Sequence, residues 1–293
     1  MRKVNLLFAF FISSIIFLTG CQDDDPVNAN LTLSVSGLED LGEDYAYEGW
    51  VIVDGSPVST GIFTVDANGT PSASSFEVDA GDLDAATAYV LTIEPSPDSD
   101  PSPSAVHILA GDFSDAQASL SVGHDAALAT DFSTAAGGFI LATPTDGSMT
   151  TNENSGVWWL DPAAGPAPTL NLPTLPEGWA YEGWAVIDGT PVTTGRFTSA
   201  SGEDDAAPFS GATAGPPYPG EDFLNNAPAG LSFPTDLSGR TIVVSVEPVP
   251  DNSPAPFLLK PLVGSAPSNA TDRVVYDMGN NASATNPTGT VSR

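Results

Sequence analysis

The chain has 293 residues, 41% of them hydrophobic, with Lys+Arg 7 against Asp+Glu 37 and a formal net charge of −30. That length suits two domains of ordinary size, and the charge argues against nucleic acid and anionic membrane surfaces as partners, since both need a basic patch. A single cysteine excludes internal disulfides and any multi-cysteine metal site.

Residues 1–20 read as a lipoprotein signal peptide. Arg2 and Lys3 form the positive region and Leu6 to Leu18 the apolar one, and Leu18-Thr19-Gly20-Cys21 fits a lipobox. Cys21 is therefore the expected lipid acceptor, and its acyl chains would hold the protein to a membrane face. The apolar run is too short and too N-terminal for a comfortable spanning helix. Removing 1–20 takes Arg2 and Lys3 with it, which moves the charge from −30 to −32 and leaves 273 residues with Lys260 as the one lysine. Residues 21–30 are expected to be an acidic tether. Gln22-Asp23-Asp24-Asp25-Pro26 reads either as a solvated spacer or as a sorting signal, since such a run resembles the surface-export signal of bacterial lipoproteins. The outer membrane is the expected location, with the leaflet left open. So acidic a surface also suits a high-salt habitat or weak cation binding.

Domain 1 is expected over 31–122. Leu31 to Val35 alternates as a first strand, and Gly37 to Asp44 is an acidic loop. Then comes the stretch from Ala46 to Thr64, which recurs as Ala180 to Thr198 with thirteen of nineteen positions identical. Each copy predicts a β-hairpin with Asp-Gly at its turn, Asp54-Gly55 and Asp188-Gly189, followed by Pro57 and Pro191. Within the second strand, alternation places Val58, Thr60 and Ile62 on one face and Ser59, Gly61 and Phe63 on the other. Tyr47, Trp50, Tyr181 and Trp184 are expected core anchors, and Glu48 and Glu182 edge or rim charges. Asp66 to Gly69 predicts a turn, Ser75 to Val78 a short strand, and Gly81 to Ala86 a loop or one helical turn. A second shared piece follows: Tyr89 to Asp98 and Ile242 to Asp251 each end a strand at Glu-Pro, Glu94-Pro95 and Glu247-Pro248, because proline cannot donate to a ladder.

Residues 123–137 are expected to be a linker, 138–278 a second domain, and 279–293 a flexible polar tail. In domain 2, Gly138 to Ala142 and Gly156 to Leu160 are strand-like. Thr169 to Leu175 parallels Leu31 to Leu41, Trp179 adds an aromatic, and Asp272 to Met278 is a last strand. A Gly/Pro/Asp-rich insertion spans 202–240; its Phe209, Tyr218, Phe223 and Phe233 are expected to pack the loop locally, and long insertions often bind. The whole reads as all-β, two tandem β-sandwich-like domains.

The Tyr-x-x-Trp strand, the Asp-Gly-x-Pro-Val turn, the Gly-x-Phe-Thr strand and the later Glu-Pro segment resemble the extracytoplasmic domain of the anti-sigma-K factor family, in two copies over roughly 31–115 and 139–278. The resemblance implies a compact β-rich domain outside the inner membrane. In full-length members it is joined through a transmembrane helix to a cytoplasmic sigma-binding region, and this chain shows no second spanning run and no His-x-x-x-Cys-x-x-Cys.

No catalytic signature stands out. His107 and His124 have no second ligand at metal-site spacing, no Gly-x-Ser-x-Gly elbow occurs, and no Asp-x-Asp-x-Asp calcium loop is present. The expectation is a non-enzymatic envelope lipoprotein without cofactor or metal. It would bind an envelope protein, act as an envelope-stress sensor through a spanning partner, or bind glycans with Trp158-Trp159 or Trp179. The loops after Glu94 and Glu247 and the insertion around Tyr218 are the recognition candidates.

Overall fold

The computed structural model describes residues 27–293; Cys21 and the signal peptide lie outside the described residues. The elements are β1 (Asn28–Ser36), β2 (Tyr45–Val53), β3 (Ser56–Phe63), β4 (Ser75–Asp79), α1 (Ala80–Ala85), β5 (Ala88–Pro95), β6 (His107–Ser114), β7 (Gln117–Ser121), β8 (Gly137–Leu141) and β9 (Gly156–Trp158). There follow β10 (Leu160–Asp161), β11 (Ala167–Pro168), β12 (Trp179–Ile187), β13 (Thr190–Phe197), β14 (Gly220–Asp222), β15 (Thr241–Pro248), β16 (Leu262–Ser265), β17 (Tyr276–Asn280), α2 (Ala282–Thr285) and β18 (Thr288–Ser292). β1 begins inside the expected 21–30 tether.

Two eight-stranded sheets result, ordered β3-β2-β5-β6-β7-β18-β1-β4 and β13-β12-β15-β16-β17-β8-β9-β14. All their pairings are antiparallel. The first sheet curls until its two edges approach, with the Phe63 and Phe76 rings 6.1 Å apart. Each sheet is thus a sandwich-like barrel wrapped on its own apolar face. Inside the first lie Leu31, Tyr47, Tyr89 and Leu91; inside the second, Phe139, Trp159, Tyr181 and Phe223.

The repeated hairpins form as their turn chemistry dictates. Asp54 and Gly55 have φ 49 and 78, and Asp188 and Gly189 have φ 52 and 85, the two positive values a tight hairpin needs. The expected alternation breaks at one point. The register shifts between Gly49 and Trp50 and between Glu182 and Trp184, which inserts an extra residue in the second strand. The bulge reverses the faces beyond Thr60: Phe63 is buried and Ile62 is 55% exposed. This accounts for the one dissimilar pair in the repeat, because Arg196 stands at the outward site of Ile62 and pairs with Asp205 at 3.1 Å.

Three expectations need correction. Residues 279–293 are not a loose tail: β18 sits between β7 and β1 with Val291 1% exposed. Its alternating Thr, Val and Ser side chains and its glycine suit a crowded central strand. The linker 123–137 is packed, with Leu128 and Phe132 fully buried. The counterpart of β1 in the second sheet is β9, not Thr169 to Leu175, which makes a bridge from Asn171 to Ala136.

Candidate functional site

Each hairpin carries a buried polar frame, and the two frames match. Tyr47 Oη donates to Glu39 O at 3.0 Å, and Tyr181 Oη donates to Pro173 O at 2.6 Å, eight residues back in both cases. Trp50 Nε1 donates to Thr92 Oγ1 at 2.9 Å, and Trp184 Nε1 donates to Ser245 Oγ at 2.7 Å. The expectation that Glu48 and Glu182 are rim charges is overturned: both are buried, and the hydroxyls of Ser59 and Thr193 donate to them. The hydroxyls come from Ser59 and Thr193, the residues opposite Trp50 and Trp184, and they replace water at the buried carboxylates.

The Glu-Pro corners do similar work. Glu94 accepts the Ser104 N–H at 2.9 and 3.1 Å, and Glu247 accepts the Phe257 N–H at 2.9 and 3.2 Å. Each carboxylate clamps the far end of the loop that its own proline starts. Pro95 pairs with Tyr45 and Pro248 with Trp179 at the strand ends. Ser245 ties frame to corner in the second barrel, accepting from Trp184 and donating to Glu247. Desolvation pushes Glu182 up to about 7 and Glu247 up to about 8.

At the junction of the barrels the two clamped loops meet. Pro95, Ser104 and Ala105 face Val249, Pro250 and Asn252 across a small, mostly apolar cavity of ≈ 90 Å³. Beside it, Glu39 is pushed up to about 7 by desolvation, opposed by the charge of Lys260 and by hydrogen bonds from Asn252 and Leu258. Lys260 is itself lowered by burial, and its Nζ donates to Phe257 O at 2.6 Å.

The insertion is two loops flanking β14, the strand in the position of β4. Sequence reasoning missed it: Gly220-Glu221-Asp222 has no apolar residue, yet Glu221 and Asp222 are fully buried. Asp222 accepts Thr145 N at 2.7 Å and Thr145 Oγ1 at 2.5 Å on one oxygen and Trp158 Nε1 at 2.8 Å on the other. Glu221 accepts from the Ser210 hydroxyl, and Asp204 accepts Gly220 N at 2.8 Å. Desolvation raises all three carboxyls, Asp204 and Glu221 to about 7. They pin the insertion to the barrel and leave an open cleft of ≈ 390 Å³, lined by Thr145, Trp158, Asp204, Ser210, Gly215 and Tyr218.

The aromatic platform expected for glycans does not form. Trp158, Trp159 and Trp179 are 4%, 0% and 3% exposed. Trp158 is covered by Gly215 and Gly220, Trp159 by Gly183, and Trp179 packs on Phe257. Within the insertion, Phe209, Phe223 and Phe233 form a local cluster with centroids 5.4 to 5.9 Å apart. Tyr218 Oη donates to Pro166 O at 2.7 Å. His107 Nδ1 lies 2.8 Å from Ala126 O, and His124 Nδ1 accepts from Ala126 N at 3.1 Å. Among the described residues no group of three His, Cys, Asp or Glu is placed to hold a metal ion.

A family model described as Anti-sigma-K factor rskA, C-terminal, matches residues 24–107. The match covers the first five strands of the first barrel and reaches the start of β6; the second copy of the repeat lies outside it. No curated protein and no solved structure matches the chain.

Proposed function

We propose that this protein is a non-enzymatic interaction module of the cell envelope, tethered through lipid on Cys21 at the outer membrane, with the two clamped corner loops as its recognition surface. The observation that carries this reading is the match of residues 24–107 to the C-terminal domain of anti-sigma-K factors, a regulatory family without enzymatic chemistry. The geometry is consistent with it. The recurring carboxylates of the hairpins and corners are occupied in holding loops, while Val249, 44% exposed, stands at the meeting point of the loops after Glu94 and Glu247.

The same match favours a regulatory version, in which the module senses envelope stress and acts on a sigma pathway through a membrane-spanning partner. No helix among the described residues is long and apolar enough to cross a membrane.

Membrane fractionation of lysed cells, with Cys21→Ala as the control, tests the anchoring. The wild-type chain stays with the membrane fraction and Cys21→Ala is released; equal membrane retention of both overturns the tether. A photoreactive side chain at Val249 tests the surface. Crosslinking to a discrete envelope protein, abolished when residues 97–103 are replaced by a Gly/Ser segment, supports the reading. Crosslinking that ignores the loops removes it. Unchanged sigma-dependent transcripts in a deletion strain under envelope stress remove the regulatory version.

A further inference from the structure

Position by position the two sheets are the same, apart from how the chain reaches one place. The first five positions are β3-β2-β5-β6-β7 in one sheet and β13-β12-β15-β16-β17 in the other. The last two are β1-β4 and β9-β14. Between them, β18 fills the sixth position of the first sheet and β8 that of the second. By chain order β8 is the strand after β7, and β18 is the strand after β17. Each lies in the opposite sheet: β8 pairs with β17, and β18 pairs with β7.

We propose that the sixth position is a strand-accepting site whose ligand is the terminal strand of a neighbouring module, so that this chain is a pair of strand-exchanged modules joined in tandem. Reciprocal exchange of identical elements is the low-cost route by which repeated units associate. Here both units belong to one polypeptide.

The two crossing segments begin alike. Gly123-His124-Asp125-Ala126 follows β7, and Gly279-Asn280-Asn281-Ala282 ends β17 and opens the second crossing. Each then turns, with Ala127 N donating to His124 O at 2.8 Å and Ala284 N to Asn281 O at 3.0 Å. Ala282 is buried and its counterpart Ala126 is half-buried. The crossings also bind one another. Asn280 Nδ2 donates to Phe132 O at 2.8 Å and to Ala135 O at 2.9 Å, and Asn286 Nδ2 donates to Asp131 O at 2.8 Å.

The first-barrel site reads its strand at alternate positions, as strand addition does. Every residue from Thr288 to Ser292 is paired on both sides, with Ser121 to Gln117 and with Ser36 to Thr32. At Gly289 an added Cβ would stand 2.9 Å from Ser34 O and from Val35 Cγ1, so the site takes glycine there. Val291 is 1% exposed and lies opposite Leu33 and Ala118. Arg293 closes the site: its guanidinium donates to Leu83 O, to Ala86 O at 2.7 Å and to Asp115 O at 3.1 Å, and its Cζ lies 4.3 Å from the Phe113 centroid. The ligand class is therefore an extended Gly-x-Val-x-Arg segment. It also follows that the first barrel closes only after the second has been synthesised, because its sixth strand comes last.

The test is hydrogen exchange on the full chain carrying Val291→Asp. Amides of 28–36 and 117–121 are expected to exchange at least about tenfold faster while those of 179–187 and 241–248 keep their protection. A synthetic peptide of residues 286–293, added in trans, restores protection saturably to the variant, and the same peptide with Gly289→Val does not. Equal loss of protection in both barrels, no loss in either, or restoration by both peptides overturns the proposal. If Val291→Asp does not accumulate as folded protein, Val291→Ala is expected to give the same pattern at smaller amplitude, and the same outcomes decide.

Discussion

The two hairpins and the two regions beyond them behave differently, and the contrast is instructive. Hairpin against hairpin, thirteen of nineteen residues are identical and the polar frame superimposes bond for bond. Beyond the hairpins, β3 runs to β4 through residues 64–74, whereas β13 reaches β14 only after residues 198–219. The part that stays constant is the part in which buried polar groups depend on one another, so a change at one leaves another unpaired. The part that varies is tied down by Asp204, Glu221 and Asp222, and it makes the cleft. In this molecule repetition marks architecture, and divergence marks the surface available for a separate role.

The sharpest way to break the likeness is at its central glycines. A Cβ on Gly49 would meet Tyr89 Oη at 2.0 Å, and one on Gly183 would meet Trp159 Cη2 at 2.1 Å. The obstacles differ because β15 places Ile242 where β5 has Tyr89, and Trp159 fills the space from beside β9. Gly49→Ala and Gly183→Ala are each expected to lower stability by about 3 kcal/mol, as overpacking does. Tyr89→Phe relieves part of the first penalty, read by urea denaturation; full cost retained in the double variant would show that the hydroxyl is not the obstacle.

Next in size is the corner carboxylate. Glu247→Ala leaves the Phe257 N–H and the Ser245 hydroxyl without their partner and is expected to cost roughly 2–3 kcal/mol, whereas Glu247→Gln keeps an acceptor and costs about 1 kcal/mol. The ratio is measured by thermal unfolding; equal losses would mean that volume, not hydrogen bonding, matters at the corner.

A dependence of stability on pH is expected as well. Glu182, Asp204 and Glu221 rise to about 7 and Glu247 to about 8 on folding, mainly by desolvation. The folded state then holds protons that the unfolded chain releases near its ordinary carboxyl range. Stability is complete below that range and falls as pH rises through 7 and 8. The protein is therefore expected to melt higher at pH 5 than at pH 8.5, with Glu247→Gln flattening the difference. A melting temperature that climbs over this interval would reverse the sign and remove the assignment.

The smallest effect tests the bulge. Exchanging the outward residues, Ile62→Arg and Arg196→Ile, is expected to change stability by less than about 0.5 kcal/mol each. A loss of several kcal/mol for Ile62→Arg would place that side chain inside and contradict the register.

Much of this was legible in the chain, and what was legible shares a physical cause. Asp-Gly turns, Glu-Pro strand ends and alternating apolar residues are local signals, since a turn's φ values and a proline's missing N–H act within a few residues. They announced the hairpins, the corners, the duplication and the all-β class. The burial of Glu48 and Glu182 was not legible, because it depends on hydroxyls from the opposite strand. β14 was hidden for a similar reason: Gly-Glu-Asp is strand-like only once Thr145, Trp158 and Ser210 arrive from elsewhere in the chain to satisfy its carboxylates. The buried tryptophans read as a possible platform because composition cannot tell which face of a ring is covered.

By itself, then, the sequence determined the local geometry and the existence of two equivalent units. Only the tertiary structure decided which unit each strand completes. Strand pairing depends on backbone groups that every residue carries, and a segment such as Thr288 to Ser292 has no composition that names its sheet. Its place was settled by the open ladder between β7 and β1, a glycine-sized approach at Ser34, and an apolar hole at Val291. Those features exist only when residues from both ends of the chain have come together.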